Sequence, residues 1–328
     1  MLPAIEGELR RQVRRLDSAS TRPFHEMLTY HMGWTGARGA RAPGGKRIRP
    51  LLCVLVSASV GAEWRKALPA AAALELIHNF SLVHDDIQDN SPTRRGRPAL
   101  WKKAGMPLAI NAGDALFVLA NQSVLDLARY FDANVVVTAA AILEQACLDL
   151  TRGQFLDLHH QQAGRLTLKQ YWEMIDGKTA ALLAAATQIG ALLGGATATR
   201  CYEYRKFGQL LGRAFQVQDD ILGIWGEERR TGKSTATDLA EGKLSLPVVY
   251  GLAKKGAFAR LWRDASKRAR NAGRLRRLLE EDEAHEFATR HAKRLTRDAV
   301  ARLKRLRPRG EAGAALHELC GELLRRSS

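Results

Sequence analysis

Three carboxylates stand within five residues in the stretch LVHDDIQDNSPTRRGRP, residues 82–98: Asp85, Asp86 and Asp89, with Arg94, Arg95 and Arg97 close behind. On a helix, Asp85 and Asp89 are four apart and share a face, with Cβ atoms about 5–6 Å apart. Two carboxylates so placed suit a divalent cation such as Mg²⁺, which takes oxygen ligands and is commonly held by one or two carboxylates together with substrate phosphates. A second acidic pair, Asp219 and Asp220 in FQVQDDILG, closes another predicted helix. One such cluster alone reads as an exposed acidic turn. Two clusters, each followed by a basic, glycine-containing loop, point to metal-assisted handling of a phosphorylated ligand, because a basic loop at a helix end is a good place to hold phosphate.

The segments that must position these acids read as helices. ALPAAAALELIHNFSLVHDDIQD (67–89) is rich in Ala and Leu, has no interior glycine, and carries Pro69 near its start, where proline is tolerated. NVVVTAAAILEQACLDLTRGQFLDLHH (134–160), TLKQYWEMIDGKTAALLAAATQIGALLGG (167–195) and ATRCYEYRKFGQLLGRAFQVQDDILGIWG (198–226) look similar, with Gly194 and Gly195 as a stop. No run of alternating β-branched residues bounded by turns is visible. The expected architecture is therefore all-α: one domain over 1–328, a helical bundle around a central cavity. Breaks fall at GARGARAPGG (36–45), NSPTRRGRP (90–98) and GEERRTGKSTATDLAEGK (226–243).

With 328 residues, 46% of them hydrophobic, the chain can build a sizeable core, which excludes wholesale disorder. Its net charge of +17 admits nucleic acid, an anionic membrane surface or a phosphorylated substrate as partner. The basic runs near both ends read as solvated helix faces. They lack the interleaved aromatics of a base-stacking platform, so no nucleic-acid partner is expected. Cys53, Cys147, Cys201 and Cys320 are scattered and form no CxxC pair, which reads as reduced thiols in a cytoplasmic protein. MLPAIEGELRRQ carries acids and no apolar segment, so no signal peptide is expected. TAALLAAATQIGALLGGATA (179–198) has the length of a membrane span and no charge, but it is rich in Ala, Thr and Gly and carries Gln188. It reads as a buried helix, and no transmembrane segment is expected.

Seven motifs now follow one another in a recognisable order. GGKRIRP (44–50), DDIQD (85–89) with RRG (94–96), GQFLD (153–157), GKTA (177–180), FQVQDD (215–220), GKSTATDL (232–239) and EGKLSLP (241–247) resemble those of the all-trans isoprenyl diphosphate synthases, the polyprenyl synthetase family. The resemblance covers roughly residues 40–250, leaves a basic helical part at 251–328, and lies nearest the geranylgeranyl and farnesyl diphosphate synthases. It implies an all-helical homodimer with one deep pocket per subunit, joining an allylic diphosphate to isopentenyl diphosphate and releasing pyrophosphate. Ionising the allylic C–O bond leaves a carbocation and a highly charged leaving group, which needs cations placed in advance. The carbocation needs a dry, apolar chamber. By resemblance, Asp85, Asp89 and Asp219 bind Mg²⁺, up to three ions with Mn²⁺ as a substitute, and Asp86, Asp157, Asp220 and Asp238 support them. Arg94, Lys178, Lys233 and Lys243 grip the allylic diphosphate. Lys46, Arg49, His78 and Arg95 hold the diphosphate of isopentenyl diphosphate. Thr179 and Gln216 face the developing cation. No dedicated protein base is needed if the proton leaves to pyrophosphate.

Other features carry less. His84 reads as structural, His159–His160 has no partner at metal-ligand spacing, and GEERRTGKS departs from a nucleotide P-loop by one residue with no strand before it. The second acidic motif of the family usually ends in a third Asp, where this chain has Gly223. Glu227 or Glu228 could compensate, and Gly223→Asp is expected to be neutral or modest in effect. The departure keeps open a terpene cyclase or a modulatory subunit on the same fold, although GGKRIRP and RRG argue against the first and DDIQD against the second. A basic scaffold without turnover is the reading from another class. For product length, Ser81 lies about 6 Å below Asp85 on nearly the same face and Leu74 shares that face, whereas Phe80 lies well around the helix. In the family the positions of Phe80 and Ser81 limit chain length, and a small residue at the nearer with an aromatic at the farther implies geranylgeranyl diphosphate. Farnesyl or longer products are the alternatives.

Overall fold

The computed structural model describes residues 1–35, 45–226, 237–264 and 268–324. The architecture is all-α. The chain divides into two compact units: Met1–Glu144 with Ala186–Cys201 and Arg309–Gly313, and Gln145–Ala185 with Tyr202–Pro308 and Ala314–Ser328.

The first unit contains α1 (Leu2–Val13), α2 (Arg22–His31), α3 (Ile48–Val60), α4 (Leu68–Gln88), α5 (Leu100–Ala104), α6 (Met106–Leu125) and the start of α7 (Ala133–Ala163). Its centre is α4. Ala70 to Ala73, Leu74, Leu76 and Ile77 are all buried, and α1, α3 and α6 pack around them. The alanine run explains this: small side chains lose little entropy in a helix and let three neighbours approach at once. Pro69 sits in the first turn, as expected. The helix runs on to Gln88, with Asp89 as its C-cap, so DDIQD forms its last turn. The segment expected as a plain loop after it contains a miniature hairpin, β1 (Thr93–Arg94) paired antiparallel with β2 (Arg97–Pro98). Arg95 and Gly96 at its tip both have positive φ, 53° and 74°, the pattern of a tight two-residue turn.

The second unit holds the rest of α7, α8 (Leu168–Ile175), the start of α9 (Ala181–Leu193), most of α10 (Ala198–Trp225), α11 (Thr237–Glu241), α12 (Leu246–Ala253), α13 (Ala257–Trp262), α14 (Ala272–Glu281), α15 (Ala284–Leu306) and α16 (Gly310–Leu324). Helix α8 starts on a reciprocal cap: Gln170 N–H donates to Thr167 Oγ1 at 3.3 Å, and Thr167 N–H to Gln170 Oε1 at 2.9 Å. Asp176–Ala180 forms one turn of π-helix, a distortion that often marks a functional segment. α15 buries Ala284, Ala288, Ala292, Leu295, Ala299, Leu303 and Leu306 on one stripe, so the basic residues of this part lie on a solvated helix face.

The uncharged stretch at 179–198 contributes only the short α9, which is largely buried. Among the described residues, two other helical spans are long and apolar enough to cross a bilayer, Met106–Arg129 and Ala133–Ala163, but both also carry core residues such as Leu116, Val124 and Leu143. All four cysteines are buried.

Candidate active site

In the first unit the acids and bases of the predicted site are built on the end of α4, the hairpin and the start of α3. Asp85 is partly buried and Asp89 exposed, one turn apart. Asp86, between them, is buried, and its carboxylate accepts from Arg94 Nε at 2.9 Å. Burial pushes the Asp86 carboxyl up while Arg94 pulls it down, with a net rise. Asp86 thus fixes the hairpin to α4 and orients Arg94.

Around it lie buried Arg47 and half-buried Arg49 and Arg95. Arg47 is fully engaged: it donates to Glu6 at 2.7 Å, to Glu75 at 2.8 Å and to the Met32 carbonyl at 3.2 Å. Arg49 and Arg95 are not. Arg49 Nε and Arg95 Nη1 are buried without a hydrogen-bond partner, and burial holds both guanidinium groups below their ordinary range. His78 is held well below its usual value by burial and by Arg49, Arg95 and Arg94, so it is neutral. His31, at the end of α2, is buried with Nε2 unpartnered, and burial with Arg95 and Arg94 lowers it to about 3. Lys46 is exposed. A buried donor without a partner costs free energy, more so when charged. Several such donors in one place describe a cradle for an anion.

In the second unit the motif glycines bring the chemistry together. A Cβ on Gly177 would lie 2.4 Å from the Asp149 carbonyl oxygen, and one on Gly153 would lie 2.1 Å from Lys178 N. Only glycines allow this backbone approach, and it sets Lys178 in an ion pair with Asp157, so the aspartate neutralises a lysine. Thr179 donates its hydroxyl hydrogen to Gln216 Oε1 at 2.6 Å, and Gln216 Nε2 donates to Asp220 Oδ1 at 2.9 Å. Asp220 is buried and also accepts from Tyr171 Oη at 2.6 Å and from the Leu246 amide at 2.7 Å. Burial pushes its carboxyl up to about 7 against those hydrogen bonds. Asp220 therefore anchors a polar network. Asp219 is exposed on the same helix. Lys243 Nζ meets Asp238 Oδ1 at 3.1 Å and Glu241 at 2.9 Å. Lys233, Glu227 and Glu228 lie outside the described residues.

The polyprenyl synthetase family model matches residues 37–281. The chain belongs to the polyprenyl synthetase family. It is 39% identical over 258 residues to the (2E,6E)-farnesyl diphosphate synthase of Mycobacterium tuberculosis, covering 78% of this chain and 70% of that protein. It is also 41% identical over 239 residues to the geranylgeranyl diphosphate synthase of the same organism, covering 72% and 67%. A polyprenyl synthetase from Streptomyces coelicolor A3(2) superposes with a TM-score of 0.88 at 36% identity, over 98% of this chain and 96% of that one.

This polyprenyl synthetase family member offers carboxylates in pairs. Among the described residues no three His, Cys, Asp or Glu side chains converge as a ready-made metal cage. Mg²⁺, which the resemblance implies, keeps waters and shares its coordination with substrate phosphates, so it needs no such cage. The unpartnered nitrogens of Arg49 and Arg95 supply the matching demand for phosphate oxygens. Two residues escaped sequence reasoning. His31 lies outside every motif, and the signal that finds it is its buried, unpartnered ring nitrogen. Tyr171 was an ordinary aromatic until its hydroxyl met Asp220.

The residues expected to limit chain length also find places. Ser81 is buried and donates to the His78 carbonyl at 2.9 Å. Phe80 packs against Phe117 of α6, centroids 5.3 Å apart, and edge-on to His84 at 4.9 Å. His84 fills a hollow left by Gly113 and lies 3.2 Å from the Ile110 carbonyl, a structural placement.

Proposed function

We propose that the chain is a Mg²⁺-dependent trans-prenyltransferase that condenses an allylic diphosphate with isopentenyl diphosphate. The observation that carries this reading is the set of buried, unpartnered guanidinium nitrogens of Arg49 and Arg95 in the unit whose central helix ends in the Asp85/Asp89 pair. Cations buried without partners are expensive unless an anion completes them. Arg95 and Arg49 take the diphosphate of isopentenyl diphosphate, Lys46 adds charge from the rim, and neutral His78 offers one N–H. Arg94, oriented by Asp86, and Lys178, oriented by Asp157, hold phosphate oxygens of the allylic substrate, as does Lys243.

Mg²⁺ held by the Asp85/Asp89 pair, or by Asp219, would supply the charge stabilisation that lets pyrophosphate depart, and Mn²⁺ would replace it. Thr179 has given its hydrogen to Gln216, so its oxygen lone pairs remain to stabilise the allylic cation. The Asp220 network holds both side chains still. The new C–C bond forms from the isopentenyl double bond, and the proton then lost goes to the departing pyrophosphate, with no protein base required.

The main product is geranylgeranyl diphosphate: small Ser81 leaves room near Asp85, and Phe80 packs across to α6. The working form is a homodimer, for which the exposed apolar side chains Leu108, Val118, Leu125, Val137, Leu148 and Phe155 on α6 and α7 are the support. Its working compartment is the reducing cytoplasm, for which four scattered, buried cysteines are the support.

Incubation with labelled isopentenyl diphosphate, an allylic primer and Mg²⁺, followed by phosphatase and solvent extraction, tests the reading. A longer prenyl alcohol upholds it, with the C20 alcohol dominant. A hydrocarbon would mean a cyclase, and no product at all would mean a scaffold or modulatory subunit. EDTA abolishes the product if the reading holds.

A further inference from the structure

GGKRIRP carries Lys46 and Arg49, both expected on the diphosphate of isopentenyl diphosphate, and between them Arg47, which belongs to neither diphosphate set. Arg47 is the N-cap of α3 and adopts φ 49° and ψ 40°, the left-handed region. A residue other than glycine is strained there and persists only where its surroundings over-determine it. Those of Arg47 do. Its side chain is 3% exposed, and each guanidinium nitrogen donates to the protein: Nε to Glu6 at 2.7 Å, Nη1 to Glu75 at 2.8 Å and Nη2 to the Met32 carbonyl at 3.2 Å. Arg47 is therefore a lock on the backbone and not a ligand.

The lock has an inner and an outer anchor. Glu75, the inner one, is buried in α4 and also accepts from Asn79 Nδ2 at 3.2 Å. Burial lowers Arg49 and Arg95, and the Glu75 charge pulls both back up. Glu6, the outer anchor, lies on α1, outside the residues 37–281 that match the family model. Its carboxylate is itself held: Trp34 Nε1 donates to Oε2 at 2.8 Å, and the Arg10 guanidinium lies 4.6 Å from the Trp34 ring centroid. Burial pushes the Glu6 carboxyl up, but Arg47 and Trp34 bring it to a net lowering, so it is ionised. The lock reaches the subsite through the backbone. Gly45 lies against Arg95, since a Cβ there would be 3.0 Å from Arg95 Nη2 and 3.3 Å from its Cζ. The Leu51 amide donates to the Arg47 carbonyl at 3.1 Å, which starts α3 with Arg49 in its first turn. Fixing Arg47 thus fixes the backbone that carries Lys46 and Arg49, and the wall on which Arg95 rests.

We propose that Glu6, acting through Arg47, is a positioning residue for the isopentenyl diphosphate subsite. The inference rests on the prenyltransferase reading for the identity of the anion. Without the Glu6 carboxylate, Arg47 loses one of its three holds, and its strained backbone is free to relax. Lys46, Arg49 and the support of Arg95 then shift relative to one another, and positioning errors of this kind weaken a site without removing a ligand. The effect is selective. Arg94 is oriented by Asp86 and Lys178 by Asp157, so the groups expected on the allylic diphosphate do not depend on the lock.

The test compares Glu6→Ala, Glu6→Gln and Glu8→Ala with wild type in the full-length protein. Glu8 is the control: it stands on the same helix but accepts from Arg11 at 2.8 Å and Gln12 at 2.7 Å. Steady-state kinetics give kcat and the KM of each substrate, and calorimetry gives the Kd of isopentenyl diphosphate. Glu6→Ala is expected to raise KM and Kd for isopentenyl diphosphate about tenfold, the low end for a charge-assisted hydrogen bond, because two holds on Arg47 remain. Its KM for the allylic diphosphate and its kcat are expected to stay within about twofold of wild type. Glu6→Gln keeps an amide oxygen that can accept from Arg47, and is expected to come back to within about threefold of wild type. Glu8→Ala is expected to lower the thermal midpoint without moving either KM by more than about twofold. Equal rises in both KM values of Glu6→Ala, a fall in its kcat alone, or a KM for isopentenyl diphosphate no higher than that of Glu8→Ala would each overturn the proposal. Failure of the prenyltransferase reading looks different. A wild type that makes no product, yet binds isopentenyl diphosphate about tenfold more tightly than Glu6→Ala, upholds the lock and sinks the transferase. A wild type that does not bind isopentenyl diphosphate sinks both.

Discussion

The two acidic motifs are built by different routes. In DDIQD the carboxylates of Asp85 and Asp89 both come from one helix end, and their spacing is written in five consecutive residues. In DDILG Asp219 stands near the end of its helix, and one turn on is Gly223, whose missing side chain leaves the space that the carboxylate of Asp238, fifteen residues after Gly223, fills. The buried middle acids differ as well. Asp86 is answered by a guanidinium, whereas Asp220 is answered by a phenol, an amide side chain and a backbone N–H. The first motif is therefore local and electrostatically loaded, and the second is assembled by tertiary packing and neutral hydrogen bonds.

The largest expected effect breaks the local motif. Asp85→Ala will lower kcat by about 10²–10³-fold, the usual cost of one preorganised group acting on the transition state. Far-ultraviolet circular dichroism will stay unchanged, because Asp85 lies at the end of α4 and not among its core residues. An unaltered kcat in a folded variant would remove DDIQD from the reaction.

Next comes the cationic surplus beside that motif. Arg49→Met replaces a guanidinium carrying a buried, unpartnered Nε with an apolar chain. Losing a charge-assisted contact of about 1.5–3 kcal/mol will raise KM for isopentenyl diphosphate roughly 10–150-fold. The same change will raise the thermal midpoint of the ligand-free protein, since replacing a buried charge by an apolar group is often stabilising. Opposite signs in the two measurements are the signature of a binding cation held at a stability cost. A fall in both would make Arg49 a structural residue.

Tyr171→Phe probes the neutral network of the second motif. It removes one of the donors to buried Asp220. The expected loss is about 1–3 kcal/mol of stability in urea unfolding, with a smaller change in KM than Arg49→Met gives. A loss under about 0.5 kcal/mol would show that the Asp220 network is slack and that Gln216 is held by something else.

The same contrast explains what could be read from the sequence. The all-α class, the long helices and the acids of DDIQD were legible because each rests on local spacing: the alanine run of α4, Pro69 in its first turn, the i, i+4 carboxylates. The hairpin at 93–98 was missed because two-residue strands leave no alternation to see, although Arg95–Gly96 carries its turn. The anchoring roles of Asp86 and Asp220 were not legible either. A carboxylate's partners depend on what folds over it, and Arg94 lies eight residues from Asp86 while Tyr171 lies 49 from Asp220. Gly223 gave the wrong signal for the same reason. In sequence it is a deletion of a carboxylate, and in space it is room for another one.

The smallest expected effect concerns acid stability, and it belongs to the first motif's side of the contrast. His31 is buried near a like-charged set: Arg94 and Arg95 from the hairpin and Arg47 before α3, with the Asn79 backbone of α4 as its only favourable contact among these. Burial, Arg95 and Arg94 hold it at about 3, against an unfolded value of about 6.5. Between those two values the unfolded chain binds more protons than the folded one, so stability rises with pH through the window and is lost as the pH falls. The unfavourable contribution amounts to about 1 kcal/mol at pH 6 and about 2 kcal/mol at pH 5, and vanishes above pH 7. His31→Leu removes the titrating group. Its thermal midpoint, whatever its value at pH 7.5, will fall less than the wild type's between pH 7.5 and pH 5. Subtracting the two profiles isolates His31 from every other group, including His78, whose depression has the same sign. Parallel profiles would mean that His31 takes up its proton without penalty when folded. The cluster of Arg94, Arg95 and Arg49 would then be better screened than its unpartnered nitrogens imply, and the first motif would lose the excess positive charge that sets it apart from the second.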